Sequence, residues 1–240
     1  MRKSKAFREW TALWRKAVRR DSNEEEVIRA CKQQPPTACL RKLNPRYDLV
    51  TGFKRNRRRE ARGEQEIELA LLGDKRTRDF REVVLQNHNQ RFRVTAFYNH
   101  LPLTVYRPGQ AYPDAVGMIT LKNGEVHTLA IEVKVSDNDC WYATVENLKQ
   151  IKLLRANLPY QKRLLQNVNV LPTATRIYGT WGLILAPESF YSGSEKRKRA
   201  FERTESLINT LTETTELRVI LGVWDNKKQS ITYKSGYWPS

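Results

Sequence analysis

Three charged residues near the middle of the chain have types and spacing that suit phosphoryl chemistry. Asp114 follows Pro113 at the start of one apolar segment, and Glu132 and Lys134 lie two residues apart at the end of the next, "TLAIEVKVS". Two neighbouring carboxylates can hold a divalent cation such as Mg²⁺ or Mn²⁺, which prefers hard oxygen ligands. A lysine beside that cation can orient a water molecule or stabilise a developing negative charge. The three residues therefore form a candidate metal-dependent hydrolytic site.

The segment that carries Glu132 and Lys134 predicts a strand with two unlike faces. Successive side chains of a strand point to opposite faces, so the apolar side chains at the odd positions 129–135 share one face. Glu132 and Lys134 share the other face with Ala130. The two charged residues therefore do not have to enter the apolar core.

The hairpin turn at "KNG", residues 122–124, decides on which face Asp114 lies. A two-residue turn would place Asp114 opposite Val133, on the apolar face. A three-residue loop, with Gly124 in the left-handed conformation, would place it opposite Glu132. Burying an unpaired carboxylate is costly, so we predict the three-residue loop, although a bulge elsewhere in the hairpin could restore the same pairing.

These residues resemble the signature of the PD-(D/E)XK nucleases, over roughly residues 64–190. The resemblance implies an α/β (α+β) fold with a restriction-endonuclease-like mixed central sheet flanked by helices. It also implies a DNA endonuclease in which Asp114 and Glu132 bind Mg²⁺ or Mn²⁺. The Val133 carbonyl would add a metal ligand, and Lys134 would assist the attacking water.

The family usually adds a glutamate from its first core helix, and several candidates are present here. Residues 77–87, "TRDFREVVLQN", predict a helix that carries Glu82, the first choice for a further catalytic and metal-binding residue. A strand paired with residues 91–98 is the alternative for this segment. Glu64, Glu66 and Glu68, in a predicted helix over residues 64–72, are the other candidates.

The segment "RVTAFYNHLPLTV", residues 93–105, is similar to a strand in the endonuclease subunit of heteromeric cut-and-paste transposases. That similarity implies an enzyme that cleaves transposon ends beside a separate transposase. A defence nuclease and a Holliday junction resolvase remain alternatives. Because cutting both DNA strands requires two active sites, we expect a homodimer or a partner transposase or nuclease subunit.

The charge of the chain predicts a polyanionic partner. Its 43 Lys and Arg residues against 26 Asp and Glu give a formal net charge of +17, which favours nucleic acid. We expect a basic arm to contact the DNA backbone. This arm is predicted to join a basic helical N-terminal appendage (1–62) to the nuclease-like domain (63–240). The arm, "FKRNRRREAR", contributes Lys54, Arg55, Arg57, Arg58, Arg59 and Arg62.

Several classes of protein are disfavoured. The chain has no apolar run of the roughly 20 residues that cross a bilayer, and its three cysteines include no CxxC pair. We therefore expect a cytoplasmic protein without a membrane partner. There is no GxxxxGK[ST] motif for a nucleotide-driven motor. The main alternative is a non-catalytic DNA-binding or assembly protein, in which Glu132 and Lys134 form a structural ion pair; an RNA nuclease also stays open.

The remaining elements are read from hydrophobic periodicity. A helix over residues 5–19 places Trp10 and Trp14 on one face, where core packing is favoured over stacking on bases. In a helix predicted over residues 144–158, Lys149 and Gln150 could face the site or DNA, but a solvated helix face is favoured for both. A strand at 177–186, a helix near 194–212 and a hairpin around 226–228 complete the chain.

Overall fold

The computed structural model describes residues 4–19, 21–37, 40, 63–72, 81–99, 101, 103, 113–135, 139–157, 159, 161–162 and 176–239. The predicted basic arm, residues 54–62, lies outside the described residues. The helices are α1 (Lys5–Ala17), α2 (Glu24–Lys32), α3 (Glu64–Leu72), α4 (Cys140–Arg155), α5 (Glu188–Ser192) and α6 (Glu195–Thr214). The strands are β1 (Glu82–Gln86), β2 (Arg91–Asn99), β3 (Ala115–Thr120), β4 (Val126–Val133), β5 (Ile177–Ala186), β6 (Val219–Asp225) and β7 (Ser230–Gly236).

The seven strands form a closed barrel in sequence order. Strands β1 to β4 pair antiparallel, β4 to β6 pair parallel, and β7 is antiparallel to β6. The barrel closes where β7 pairs parallel with β1, with Leu85 level with Ile231. The prediction of an open restriction-endonuclease-like sheet is therefore wrong, because both edge strands are paired with each other.

The error originates in the segment "EVVLQ", which was predicted to be helical and forms β1. Val83 and Leu85 are both buried, while Glu82 and Val84, which alternate with them, are exposed. This is the period-two pattern of a strand. The alternative considered for this segment, a strand paired with residues 91–98, is confirmed by the Val83–Val94 pairing.

The apolar side chains form two buried clusters separated by the barrel wall. One cluster includes side chains from all seven strands and from α3, and it therefore fills the barrel interior. The other lies between the outer face of the wall and helices α1, α2, α4 and α6. Leu129, Ile131 and Val133 belong to the interior cluster and Ala130 to the outer one, which confirms the predicted alternation along β4.

The two N-terminal helices contribute to the outer cluster. Trp10 and Trp14 are buried there, which confirms core packing as the role of this aromatic pair. Asn23 and Glu26 cap α2 reciprocally, as expected for a helix start of this composition. The Trp141 Nε1 atom donates a hydrogen bond of 3.1 Å to Ser22 Oγ, so the first turn of α4 is tied to this N-terminal region.

The boundaries of most other elements agree with the periodicity. Helix α3 and strand β5 begin and end at the predicted residues. Helix α4 begins four residues earlier than predicted, because Asp139 caps it by accepting a hydrogen bond from the Tyr142 N–H. None of the helices in the described part of the chain is long and apolar enough to cross a membrane.

Candidate active site

The β3–β4 hairpin has the register that brings the two predicted carboxylates together. Its pairs run from Thr120–Val126 to Ala115–Ile131, and Gly124 has a φ of +82°. The connection is therefore the predicted three-residue loop with a left-handed glycine. Continuing this register by one residue places Asp114 opposite Glu132, on the outer face of the barrel.

Asp114, Glu132 and Lys134 form one compact group. The Lys134 Nζ atom lies 2.5 Å from Glu132 Oε1 and 4.0 Å from Asp114 Oδ2. Asp114 Oδ2 also accepts a 2.7 Å hydrogen bond from the Val133 N–H. Glu132 and Lys134 are only 3% and 8% exposed. The three predicted residues thus meet in a largely desolvated environment, where charges interact strongly.

Helix α4 supplies a polar layer behind Glu132, formed by Gln150 and by Asn147, and Asn147 is not among the residues predicted from the sequence. The Gln150 Nε2 atom donates to Glu132 Oε2 over 2.7 Å. The Asn147 Nδ2 atom contacts Gln150 Oε1 at 3.2 Å and donates to the Ala130 carbonyl at 2.9 Å. Gln150 is buried, so the prediction of a solvated position is wrong for it. These amides orient Glu132 from the side opposite Lys134.

The first turn of α3 brings a third carboxylate close to the group. Glu64 Oε1 accepts a hydrogen bond of 3.3 Å from the Val135 N–H, directly after Lys134. Glu68 lies one helical turn further along α3 and is buried. Glu64, one of the glutamates considered from the sequence, is thus hydrogen-bonded to the end of β4.

Glu82, the first choice from the sequence, lies elsewhere. Its side chain is 51% exposed and its carboxylate is 3.6 Å from the Arg93 guanidinium. Glu82 is level with Thr95, and Thr95 with Met118, four residues along β3 from Asp114. Strand spacing and rise then separate the backbones of Glu82 and Asp114 by roughly 16 Å. The structure therefore does not bring Glu82 to the candidate site.

Burial has the largest effect on the electrostatics of the site, and the crowding of carboxyl groups adds to it. Burial, followed by the nearby Asp114 carboxylate, raises the pKa of Glu132 to about 8, against the opposing effects of Lys134 and Gln150. Burial alone would lower the pKa of Lys134, but the carboxylates of Glu132, Asp114 and Glu64 outweigh it and raise this pKa. Lys134 is therefore held as an ammonium beside the carboxyl groups of Glu132, Asp114 and Glu64.

This donor set fits a divalent cation. Two adjacent carboxylates, with a third in the first turn of α3 beside the end of β4, are hard oxygen donors whose mutual repulsion a cation relieves. Among the described residues, no group of three or more His, Cys, Asp or Glu side chains is close enough together to hold a metal ion by itself. Mg²⁺ commonly binds through one or two carboxylates, with waters or substrate phosphates as its other ligands, and Asp114 with Glu132 supplies that minimum.

Comparisons of the chain with protein-family models, with curated proteins and with solved structures found no significant match. The resemblance to the PD-(D/E)XK nucleases therefore rests on the Asp114, Glu132 and Lys134 motif and stays a prediction. The predicted DNA-binding arm from Lys54 to Arg62 stays a prediction too, because it lies outside the described residues.

Proposed function

We propose that this protein is a metal-dependent DNA endonuclease that hydrolyses phosphodiester bonds. The observation that carries the proposal is the three-residue hairpin loop, which aligns Asp114 with Glu132 and leaves Lys134 between the two carboxylates. A purely structural ion pair needs one carboxylate for one ammonium. The second carboxylate, Asp114, is partly buried and accepts a hydrogen bond from the Val133 N–H, and a metal ligand pair accounts for its position beside Glu132.

Each residue has a distinct role in the proposed site. Asp114 and Glu132 hold Mg²⁺ or Mn²⁺, and the Val133 carbonyl between the two side chains is a candidate further ligand. A bound divalent cation lowers the pKa of a coordinated water and stabilises charge on a phosphoryl oxygen. Once Glu132 is engaged in this way, the Lys134 ammonium is available to orient the attacking water. Gln150 keeps the Glu132 carboxylate in its orientation through the 2.7 Å hydrogen bond.

The proposal is tested by incubating supercoiled plasmid with the purified protein and Mn²⁺ or Mg²⁺. We expect nicking by the wild-type protein and none by Asp114→Asn, which keeps the size of the side chain and its acceptor for the Val133 N–H. The matched control is Glu82→Gln, an exposed carboxylate of the same barrel that should leave nicking unchanged. Equal nicking by wild type and Asp114→Asn would refute the assignment.

A second candidate is a non-catalytic DNA-binding or assembly protein. The observation that favours it is the internal pairing of the site, because Glu132 already contacts both Lys134 and Gln150. Calorimetric titration with Mn²⁺, with and without a short DNA duplex, separates the two candidates. Binding that is lost in Asp114→Asn supports the endonuclease, and absence of binding under both conditions supports the assembly protein.

The kind of DNA transaction is a finer proposal within the same activity. A single site cuts one strand, so an end-cleaving transposase subunit, a defence nuclease or a junction resolvase would act as a homodimer or with a partner subunit. In the plasmid assay, a protein that acts alone as a monomer should give nicked circles. Linear product with second-order dependence on protein concentration would indicate a dimer instead.

A further inference from the structure

Helix α6 has a strongly asymmetric distribution of charge. Its first nine residues, 195–203, contain five basic side chains and two acidic ones, whereas residues 204–214 contain two acidic and no basic side chains. The dipole of a helix favours acidic side chains near the N-terminus and basic ones near the C-terminus. Apart from Glu195 in the first turn, the charges of α6 have the opposite arrangement, so the stability of the helix does not explain them.

Three of these basic side chains form a stripe along one side of the helix. Lys196, Arg199 and Arg203 are spaced i, i+3 and i+7, which places them on a common face; we call them the α6 basic stripe. Lys196 and Arg199 are exposed, and neither has a hydrogen bond or an ion pair with any residue that the structure describes. The stripe spans about 10 Å along the helix axis, equivalent to about three nucleotide steps of a DNA strand.

The other basic side chains of this half of α6 are already engaged within the protein. The Arg197 guanidinium donates to the Ser189 carbonyl at 2.9 Å, and Lys198 Nζ lies 2.8 Å from Glu195 Oε1. The two classes are thus distinct: Arg197 and Lys198 stabilise the local structure, whereas Lys196 and Arg199 present unneutralised charge to solvent.

The stripe is adjacent to the helix that borders the candidate active site. The Arg203 guanidinium carbon is 3.6 Å from the centroid of the Trp141 ring, in the first turn of α4. The next residue, Tyr142, lies close enough to the site for the charges of Lys134 and Glu132 to influence the pKa of its phenol. The same helix therefore contacts the stripe through Trp141, which is buried, and Glu132 through Gln150.

We propose that the α6 basic stripe binds the phosphate backbone of the DNA whose scissile bond lies at the Asp114–Glu132 pair. The inference rests on the proposed endonuclease function and adds a docking surface to it, separate from the predicted basic arm. Charge complementarity is the reason for choosing DNA as the occupant, given the net charge of +17. Arg203, held against Trp141, fixes the end of the stripe nearest to the site.

The test is the salt dependence of DNA binding in the presence of EDTA, which prevents cleavage. Fluorescence anisotropy of a labelled 30-base-pair duplex is measured against KCl concentration for the full-length protein and for Lys196→Ala/Arg199→Ala. Loss of two phosphate contacts should make the slope of log K against log [KCl] less negative by about 1.8, at about 0.9 per contact. The matched control is Lys227→Ala/Lys228→Ala, in the exposed turn between β6 and β7, which should keep the wild-type slope.

The outcomes separate this inference from the proposed function. A double variant whose slope equals that of wild type, or a wild-type protein that does not bind DNA, overturns the docking surface. If the slope changes as expected while wild type fails to nick plasmid with Mn²⁺, the docking surface stands and the endonuclease proposal falls. If wild type nicks plasmid and the slope does not change, the endonuclease stands and the docking surface falls. Circular dichroism of both double variants confirms that they are folded.

Discussion

Gly182 on strand β5 is the position at which one added methyl group should disturb the candidate active site from behind. It is level with Ala130 of β4 and faces helix α4. A Cβ atom at this position would lie 1.9 Å from Asn147 Oδ1 and 2.8 Å from Ile151 Cδ1. Both distances are far below van der Waals contact, so Gly182→Ala must displace α4 or the Asn147 side chain.

The size of the effect follows from what Asn147 holds. Overpacking of a tightly packed interface costs about 1–3 kcal/mol, and each hydrogen bond lost by the Asn147 amide adds about 0.5–1.5 kcal/mol. We therefore expect Gly182→Ala to lower the free energy of unfolding by about 2–4 kcal/mol. If Gln150 moves with Asn147, Glu132 also loses a hydrogen-bond donor, and metal affinity should fall by about 10- to 100-fold, as for other outer partners of metal ligands.

Urea denaturation measures the stability, and calorimetric titration with Mn²⁺ measures the affinity. The matched control is Gly179→Ala on the same strand, where the nearest atom to the new Cβ would be His127 Nδ1 at 3.3 Å. A stability of Gly182→Ala within about 0.5 kcal/mol of wild type would refute the reasoning. A further check is Gly182→Ala in an Asn147→Ala background, where the methyl group should cost less because its closest neighbour is gone.

Three further predictions concern pH and packing. Burial lowers the pKa of His127. The stability that neutral His127 provides should therefore be complete above about pH 6.5 and be lost as pH falls through the lower pKa of the folded state. Urea denaturation at pH 7 and pH 5 should show a weaker pH dependence of stability for His127→Phe than for wild type. Because the pKa of Glu132 is raised to about 8, Mn²⁺ must displace a proton from it at neutral pH. The Mn²⁺ affinity should therefore rise by about tenfold per pH unit up to pH 8 and then level off. A calorimetric Mn²⁺ affinity that does not change with pH would contradict this. The Ser22 hydroxyl donates to the carbonyls of Ala17 and Arg19 and accepts a hydrogen bond from Trp141. Ser22→Ala should therefore lower the free energy of unfolding, measured by heat or urea, by about 1–3 kcal/mol. An unchanged free energy of unfolding would argue against this link between the N-terminal helices and α4.

The hairpin that carries the site could be predicted because its determinants are local. Asn123–Gly124 fixes the turn, and the cost of burying Asp114 selects one of only two registers. Closure of the barrel could not be predicted in the same way. It depends on Leu85 pairing with Ile231, almost 150 residues away, and a short parallel contact of this kind leaves no signal in either segment.

A buried role for the polar residues behind Glu132 could not be favoured from the sequence, for a different physical reason. Helix α4 is buried on nearly all sides between the barrel and the other helices, so it has no exposed polar face against which an internal polar residue would stand out. Gln150 and Asn147 resemble ordinary solvated positions until Glu132 and the Ala130 carbonyl are seen next to them. A helix with apolar residues on every side is buried, and its polar residues must then form hydrogen bonds inside the protein. That pattern is the sequence signal that could have indicated buried roles for Gln150 and Asn147.

Barrel closure also determines from which side a substrate can reach the candidate site. The interior is filled by apolar side chains of all seven strands and α3, so no path leads to Glu132 through the barrel. Glu132 and Lys134 point outward, with Gln150 of α4 on one side and Asp114 on another. A DNA backbone at this pair would therefore approach from the outer surface of the barrel. Arg203, at one end of the α6 basic stripe, lies against Trp141 in the first turn of α4. Helix α4 thus borders both the proposed catalytic pair, through Gln150, and the proposed docking surface.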